Sequence, residues 1–277
     1  MPATKRNLPL VDDKIIVPMK TSAIHPLLFI FHPLSGTIFC YLEFARCLEK
    51  KFSVYGIQAV GLDGQRQPYS CLEAMAAHYA IQLQDVLEQA ATPVTFAGFS
   101  FGGSLALETA THLLRMGIKI SCVVLLDSHK VHTSSVCWRP TDIEMFSMFV
   151  ETLEKFPDRK ITIPPEQLLR VGHYQQSILL EKSLGPEFAG AISPLLRVYK
   201  SNIMALTQHT LKYYDGKVIY FLAAAKLGSK RDRSYPITEY IPKLIVEEIA
   251  VDHSNMLSEP CVSMIASRIL ETLIDNQ

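Results

Sequence analysis

The feature that most constrains this sequence is a glycine-rich turn placed between a buried strand and a helix. Residues 94–97 form an apolar run of strand length, and Gly98-Phe99-Ser100-Phe101-Gly102-Gly103 follows them directly. Residues 104–116 then have the apolar spacing of an amphipathic helix. A Gly-x-Ser-x-Gly turn in this setting exposes its serine hydroxyl at the edge of a sheet, because glycines let the strand and the helix approach closely.

Strands alternate with helices along most of the chain, which is typical of an α/β fold with a mostly parallel central sheet flanked by helices. A final amphipathic helix is predicted at 261–274. The predicted strands are residues 27–31, 52–58, 94–97, 120–126, 218–223 and 244–251.

The alternation stops between about residues 136 and 214. Helices are predicted there at 142–155, 165–180 and 194–209, separated by prolines and glycines, which indicates an inserted helical lid. We therefore predict one domain over residues 15–277 that contains this insertion at about 136–214. Residues 1–14 are predicted to form a flexible N-terminal segment.

Charge and cysteine usage exclude several classes of function. The 27 basic and 27 acidic side chains balance to a net charge of zero, so the protein has no bulk positive charge to hold a nucleic acid. The six cysteines form no Cys-x-x-Cys pair, and no histidines cluster at zinc spacing. We expect neither a structural metal nor disulfides.

The sequence also has no targeting or membrane signal. Residues 1–14 lack the apolar core of a signal peptide, and no later segment approaches 18 uninterrupted apolar residues. We therefore expect a cytoplasmic protein without a membrane span.

Three residues far apart in the sequence are candidates for nucleophilic catalysis. A serine hydroxyl such as that of Ser100 needs a histidine as general base and an acid that orients the histidine. Asp127 ends the strand that follows the serine helix, and His253 follows the last predicted strand, so all three are expected at one sheet edge. The order Ser, Asp, His is the order found in α/β-hydrolases.

The identity of the acid has alternatives. A strand-end aspartate such as Asp127 can also merely cap the next helix. Asp232, in a polar loop after the next strand, is the rival acid, and Asp252 is too close to His253 along the chain to face it comfortably.

Two backbone N–H groups are predicted to form the oxyanion hole. Phe101, directly after the serine, lies at the start of a helix whose N–H groups and dipole favour negative charge. The second donor in such folds comes from the loop after the first core strand, here His32-Pro33-Leu34-Ser35-Gly36, and Leu34 is the expected donor.

Four motifs in this order, FHPLSG, GFSFGGSLALE, VVLLDS and VDHSNML, resemble those of the thioesterase domains of polyketide, nonribosomal peptide and fatty-acid synthases. The resemblance covers about residues 15–275. It implies an acyl chain delivered as a thioester on the phosphopantetheine arm of an acyl or peptidyl carrier protein, transferred to Ser100, and released by water or by an internal nucleophile. No cofactor of the enzyme itself is implied.

The resemblance also implies a lid over an acyl pocket. We expect Phe99, Phe146, Phe149 and Met204 to contact the substrate there, with simple core packing as the alternative for the lid residues. By the same resemblance, the placement of the acid at Asp127 is similar to that in the chain-terminating type of thioesterase. Only about 14 residues precede the matched region, so the carrier is expected on a separate protein or elsewhere in a synthase from which this domain was excised.

Other functions are open to test. One alternative is a free-standing editing thioesterase that clears misprimed carrier proteins, and another is a general carboxylesterase. Gly102-Gly103-Ser104-Leu105 superficially resembles the serine site where carrier proteins receive phosphopantetheine, but a parallel α/β pattern argues against it. A non-catalytic binding module is disfavoured because no member of the Ser, Asp and His set is missing.

Overall fold

The computed structural model describes residues 15–22, 24–128, 139–154, 159–224 and 237–273. The predicted flexible segment 1–14 and the rival acid Asp232 lie outside these ranges. None of the helices in the described ranges combines the length and the apolar character that a bilayer crossing needs.

A seven-stranded sheet forms the centre of the molecule, in the order β1-β3-β2-β4-β5-β6-β7. Neighbouring strands are parallel except for β1, which pairs antiparallel with β3. The α/β prediction with a mostly parallel sheet is therefore confirmed. The strands are β1 (Ile16–Lys20), β2 (Leu27–Phe31), β3 (Ser53–Ile57), β4 (Val94–Phe99), β5 (Cys122–Leu126), β6 (Val218–Ala223) and β7 (Leu244–Ile249).

Helices cover both faces of this sheet. They are α1 (Leu42–Leu48), α2 (Leu72–Glu88), α3 (Phe101–Arg115), α4 (Asp142–Glu154), α5 (Pro165–Leu169), α6 (His173–Leu184), α7 (Ile192–Gln208), α8 (Ile237–Tyr240) and α9 (Cys261–Leu273). Helices α2 and α3 pack on one face and α1 and α9 on the other.

The central strands are continuous apolar runs because both of their faces are buried. Alternate residues of β2 contribute to the two cores: Phe29 and Phe31 face the α2 and α3 side, whereas Leu28 and Ile30 face the α1 and α9 side. All five residues of β2 are buried.

Helices α4 to α7 lie between β5 and β6 in the chain, within the segment predicted as an insertion. The single helix predicted at 165–180 is wrong, because the chain forms α5 and α6 with a break that ends at Gly172, the N-cap of α6. Strand β1 was not predicted from the sequence. Helix α3 begins at Phe101, three residues before its predicted start.

The topology brings the ends of three strands to one edge of the sheet. Residue Phe99 of β4 pairs with Leu126 of β5, and Leu126 pairs with Phe221 of β6. Because these strands are parallel, the residues that follow them emerge side by side. Ser100 and Asp127 are two of those residues.

Candidate active site

Ser100 lies in the turn that joins β4 to α3. Its backbone has φ 56° and ψ −122°, a conformation that an L-residue rarely adopts, and its N–H donates to the Leu126 carbonyl at 2.9 Å. The residue is 5% exposed. The strained turn, anchored to β5, fixes the direction in which the serine side chain leaves the backbone.

Glycine is required on both sides of this serine. A Cβ at Gly98 would overlap the backbone of Gly102, and a Cβ at Gly102 would overlap the Phe31 carbonyl oxygen. Strand β4, helix α3 and the end of β2 therefore approach one another too closely for a side chain at either glycine, as the Gly-x-Ser-x-Gly pattern predicts.

Asp127, directly after β5, has φ 38°. Among the described residues, Ser100 and Asp127 are the two that are not glycine and have positive φ. The Asp127 N–H donates to the Phe221 carbonyl at 2.8 Å, and its Oδ1 accepts the Ala223 N–H at 3.0 Å. Strained backbone of this kind concentrates at functional sites, where the surrounding structure holds it in place.

His253 begins a short 3-10 turn after β7 and contacts Asp127 directly. Its Nδ1 lies 2.6 Å from Asp127 Oδ2. The carboxylate accepts, so Nδ1 carries the proton and Nε2 keeps a lone pair. The Asp127 side chain is 7% exposed and that of His253 is 37% exposed, so the acid is shielded from solvent while the imidazole is open to it.

Phe99 packs on the same histidine. The two rings stack with centroids 4.5 Å apart and planes 25° from parallel. Because Phe99 precedes Ser100 in the chain, this contact ties the imidazole to the end of β4. Sequence reasoning assigned Phe99 to substrate binding; that role stays a prediction, and the contact with His253 was not predicted.

Tyr41 connects the two strand ends beside the turn, and sequence reasoning missed it. The buried Tyr41 hydroxyl accepts the Phe99 N–H at 2.9 Å and donates to the Phe31 carbonyl at 2.7 Å. One hydroxyl thus fixes the last residues of both β4 and β2. No local pattern marks this tyrosine, because its partners are 58 and 10 residues away.

The His32–Gly36 loop follows β2 and carries the predicted donor Leu34. The Pro33 carbonyl accepts the Gly36 N–H at 2.9 Å and lies 2.9 Å from His32 Nδ1. In a planar trans peptide the C=O and the next N–H point in opposite directions, so these contacts also orient the Leu34 N–H. No acceptor in the described part of the chain pairs with that N–H.

Helix α2 contacts the His32 side chain through Tyr79. Its Nε2 lies 3.0 Å from the Tyr79 hydroxyl, and the residue is fully buried. Burial lowers the pKa of His32 to about 4, so the ring is neutral near pH 7. A neutral ring that donates from Nδ1 to the Pro33 carbonyl keeps a lone pair on Nε2, the atom that faces the Tyr79 hydroxyl; that hydroxyl also lies 3.2 Å from the Gln58 carbonyl.

The predicted donor Phe101 opens helix α3, so its N–H belongs to the first turn, where helical N–H groups have no partner within the helix. Its side chain is buried, with its ring 5.8 Å from that of His32. The Phe101 side chain therefore packs against His32, the first residue of the loop that carries Leu34. Their use as an oxyanion hole stays a prediction.

The structure places the other predicted substrate residues in different surroundings. Phe146 and Phe149 of α4 are buried, with the Phe149 ring 5.0 Å from that of Tyr199. Met204 of α7 is 50% exposed. Packing thus accounts for the two phenylalanines in this conformation, whereas Met204 is open to contact, and substrate binding by all three remains a prediction.

The alternative site residues lie elsewhere. Ser104, within α3, is 3% exposed, and its Oγ is buried without a hydrogen-bond partner, a position that a carrier-type modification could not reach. Asp252 is exposed and makes no side-chain cap on the turn it precedes. Within the described ranges, no group of three or more His, Cys, Asp or Glu side chains is arranged to hold a metal ion.

A comparison with known families covers Ser100 and Asp127 and ends before His253. A family model described as "Thioesterase domain" matches residues 26–180, more than half of the chain. A curated relative, the dimodular nonribosomal peptide synthase of Bacillus subtilis (strain 168), is 27% identical over 225 residues. That match covers 75% of this chain and 8% of the synthase, so the chain spans only a small part of such relatives.

Solved structures share the fold. Holo-AB3403, a four-domain nonribosomal peptide synthetase bound to AMP and glycine, superposes with a TM-score of 0.80 at 23% identity, covering 94% of this chain and 20% of that one. The NocB thioesterase domain from the nocardicin cluster superposes with a TM-score of 0.65 at 18% identity, covering 94% of this chain and 99% of that domain.

Proposed function

The chain belongs to the thioesterase domain family, and from this membership we propose that it releases an acyl, polyketide or peptidyl chain from the phosphopantetheine thioester of a carrier protein. The family implies hydrolase chemistry and confirms the resemblance stated from the four motifs. The observation that carries the proposal is the 2.6 Å contact between Asp127 and His253, beside the strained turn of Ser100.

Acylation would begin at the Ser100 hydroxyl. His253 Nε2 takes the hydroxyl proton while Oγ attacks the thioester carbonyl carbon, and Asp127 stabilises the imidazolium through Nδ1–H. The tetrahedral intermediate then collapses with cleavage of the C–S bond. His253 returns the proton to the departing phosphopantetheine thiolate, which leaves Ser100 as an ester of the acyl chain.

The negative oxygen of the intermediate needs preorganised donors. The N–H groups of Leu34 and Phe101 suit this role because both are backbone donors fixed by surrounding structure. The Pro33 contacts orient the first, and the start of α3 supplies the second together with the positive end of the helix dipole.

Deacylation repeats the same steps with a new nucleophile. His253 takes a proton from water, or from a hydroxyl or amine of the bound chain, and the nucleophile attacks the ester carbonyl. The second tetrahedral intermediate collapses with cleavage of the ester C–O bond, and His253 returns the proton to Ser100 Oγ. Water gives a free acid and an internal nucleophile gives a ring. Helices α4 to α7, in the position of the predicted lid, are proposed to shelter the acyl chain in this step.

The experiment is intact-mass spectrometry of the protein mixed with an acyl thioester on a holo carrier protein. We expect a transient acyl adduct on Ser100, a released acid or ring, and free holo carrier. Ser104→Ala is the matched control, because it removes a nearby serine hydroxyl that is buried and unpartnered. Absence of an adduct and of release with a panel of acyl lengths would contradict the proposal.

Relative rates separate the alternatives. A chain-releasing enzyme prefers long acyl or peptidyl chains on the carrier, whereas an editing enzyme prefers short acyl groups such as acetyl. A general carboxylesterase would hydrolyse a simple oxygen ester at least as fast as the carrier thioester. A non-catalytic binding module would bind the carrier without forming any adduct.

A further inference from the structure

We propose that Asn202 of α7 is a positioning residue for the reaction: its side-chain N–H holds the Leu34 carbonyl and so keeps the Leu34 N–H aimed at the oxyanion. The inference rests on the function proposed above. Asn202 Nδ2 donates to Leu34 O at 2.9 Å, across 168 residues of sequence. Asn202 is fully buried.

The Leu34 N–H lies in the peptide plane that precedes Leu34, and that plane is joined through the Leu34 Cα to the plane that follows it. His32 and Gly36 hold the plane before it through the Pro33 carbonyl, and Asn202 holds the plane after it through the Leu34 carbonyl. Because each peptide is planar, fixing both planes fixes φ and ψ of Leu34. In the described part of the chain, Asn202 is the one partner of that carbonyl.

The chemistry of the Asn202 side chain supports a role beyond packing. Its Oδ1 is buried and has no hydrogen-bond partner. A buried acceptor without a donor destabilises the fold, and an apolar side chain at this position of α7 would avoid that cost. The part of the amide that makes a hydrogen bond is therefore Nδ2, which donates to the His32–Gly36 loop.

Helix α7 touches the same loop at a second point. A Cβ built on Gly36 would come against Cγ1 of Val198, which lies one turn before Asn202 on α7. Helix α7 therefore lies directly against the loop at Gly36 as well as bonding it at Leu34.

The test compares two variants that remove the donor. Asn202→Ala deletes the amide, and Asn202→Asp keeps its shape but replaces the N–H with an acceptor. With a soluble acyl thioester we expect kcat to fall about tenfold, less than for outright loss of an oxyanion donor, while KM changes by less than about twofold. An interaction made only in the transition state has this signature.

Ile203→Ala is the matched control, because Ile203 is a buried neighbour on α7 without a bond to the loop. Its truncation is expected to lower Tm by about 5 °C and to leave kcat within about twofold. Asn202→Ala should show the opposite pattern: its kcat should fall more than that of Ile203→Ala, and its Tm should fall less.

Two results would overturn the inference. One is an unchanged kcat in both Asn202 variants, or in Asn202→Ala if the aspartate variant does not fold. The other is an equal loss of kcat in Ile203→Ala, since that would mean that general loosening of α7 is responsible. If the unaltered protein does not hydrolyse the thioester at all, the proposed function fails first, and this result is distinguishable from both.

Discussion

Different forces organise two regions of the molecule. One is the sheet edge that carries Ser100, Asp127 and His253, and the other is the set of helices α4 to α7. At the edge, strained backbone and direct hydrogen bonds hold each side chain, as in the pair of positive-φ residues Ser100 and Asp127. In α4 to α7, apolar packing dominates, with Phe149 and Leu180 fully buried. The arrangement of side chains at the edge therefore depends on backbone geometry and hydrogen bonds, whereas the packing of the helices depends on the volume of their buried side chains.

This difference has a practical consequence. A substitution at the edge that keeps the volume but changes one hydrogen bond should affect rate more than stability. A substitution in α4 to α7 that removes volume should affect stability more than rate. Asn202 is the exception that connects the two regions, since it is a buried amide on α7 that bonds the His32–Gly36 loop.

The largest expected effect is the loss of the proposed nucleophile. Ser100→Ala removes the hydroxyl that is proposed to form the acyl-enzyme, so kcat for a carrier-bound thioester should fall by about 10⁶, to the residual rate that binding and the proposed oxyanion donors support. Steady-state hydrolysis checks this, with Ser104→Ala as the control that keeps its rate. Undiminished turnover in Ser100→Ala would contradict the claim that the sheet edge with Ser100 controls the rate.

Asp127→Asn should lower kcat by about 10⁴. An amide at this position can donate its N–H to Nδ1 of His253. This favours the tautomer in which Nε2 carries the proton, so Nε2 cannot accept the proton of Ser100. The same assay on Asp252→Asn, which changes an exposed neighbour of the histidine, should give a rate near that of the unaltered protein. If Asp127→Asn is nearly as fast, another carboxylate such as that of Asp232 acts as the acid.

Leu180→Ala tests the packed side of the comparison. Leu180 of α6 is fully buried, so its truncation should lower the free energy of unfolding by about 3 kcal/mol, while kcat for a small thioester at 25 °C changes little. Chemical denaturation and steady-state kinetics on one preparation measure both. A large fall in turnover without a matching loss of stability would show that α4 to α7 hold the reacting groups directly.

The last prediction concerns His32 and pH, with an effect on stability similar in size to that of Leu180→Ala. Burial lowers the pKa of His32 to about 4, so the folded protein resists a proton that the unfolded chain accepts below about pH 6.5. The unfolded state then binds more protons as pH falls, and stability decreases between about pH 6.5 and 4 by about 3 kcal/mol. His32→Gln should lack this contribution, so its free energy of unfolding should fall less between about pH 6.5 and 4 than that of the unaltered protein. Equal falls in the two proteins would argue against a buried neutral imidazole at position 32.

The positions of the strand-end residues in the candidate site could be predicted from the sequence. Ser100 and Asp127 each follow an apolar strand directly, and parallel pairing places such residues at one edge. His253 was predicted by the same rule after β7. The turn signals and the strand runs are local, so a single sequence contains them.

Contacts made across long separations could not be predicted in this way. The bond from Asn202 to Leu34 and the bridge through Tyr41 depend on how helices seat on the sheet, which no local pattern specifies. One signal was available: Asn202 is a polar residue in the apolar stripe of α7, and a buried amide of that kind needs a partner. Strand β1 was missed because Ile16–Lys20 contains Pro18 and has no alternating apolar pattern.

The measurement that tests the central claim most directly is a crystal structure of the protein after reaction with an alkyl fluorophosphonate. We predict phosphorus bonded to Ser100 Oγ, the phosphonyl oxygen facing the N–H groups of Leu34 and Phe101, and His253 Nε2 about 3 Å from Oγ. Attachment of the phosphonate to any other residue, or an imidazole that faces away from Oγ, would contradict the account.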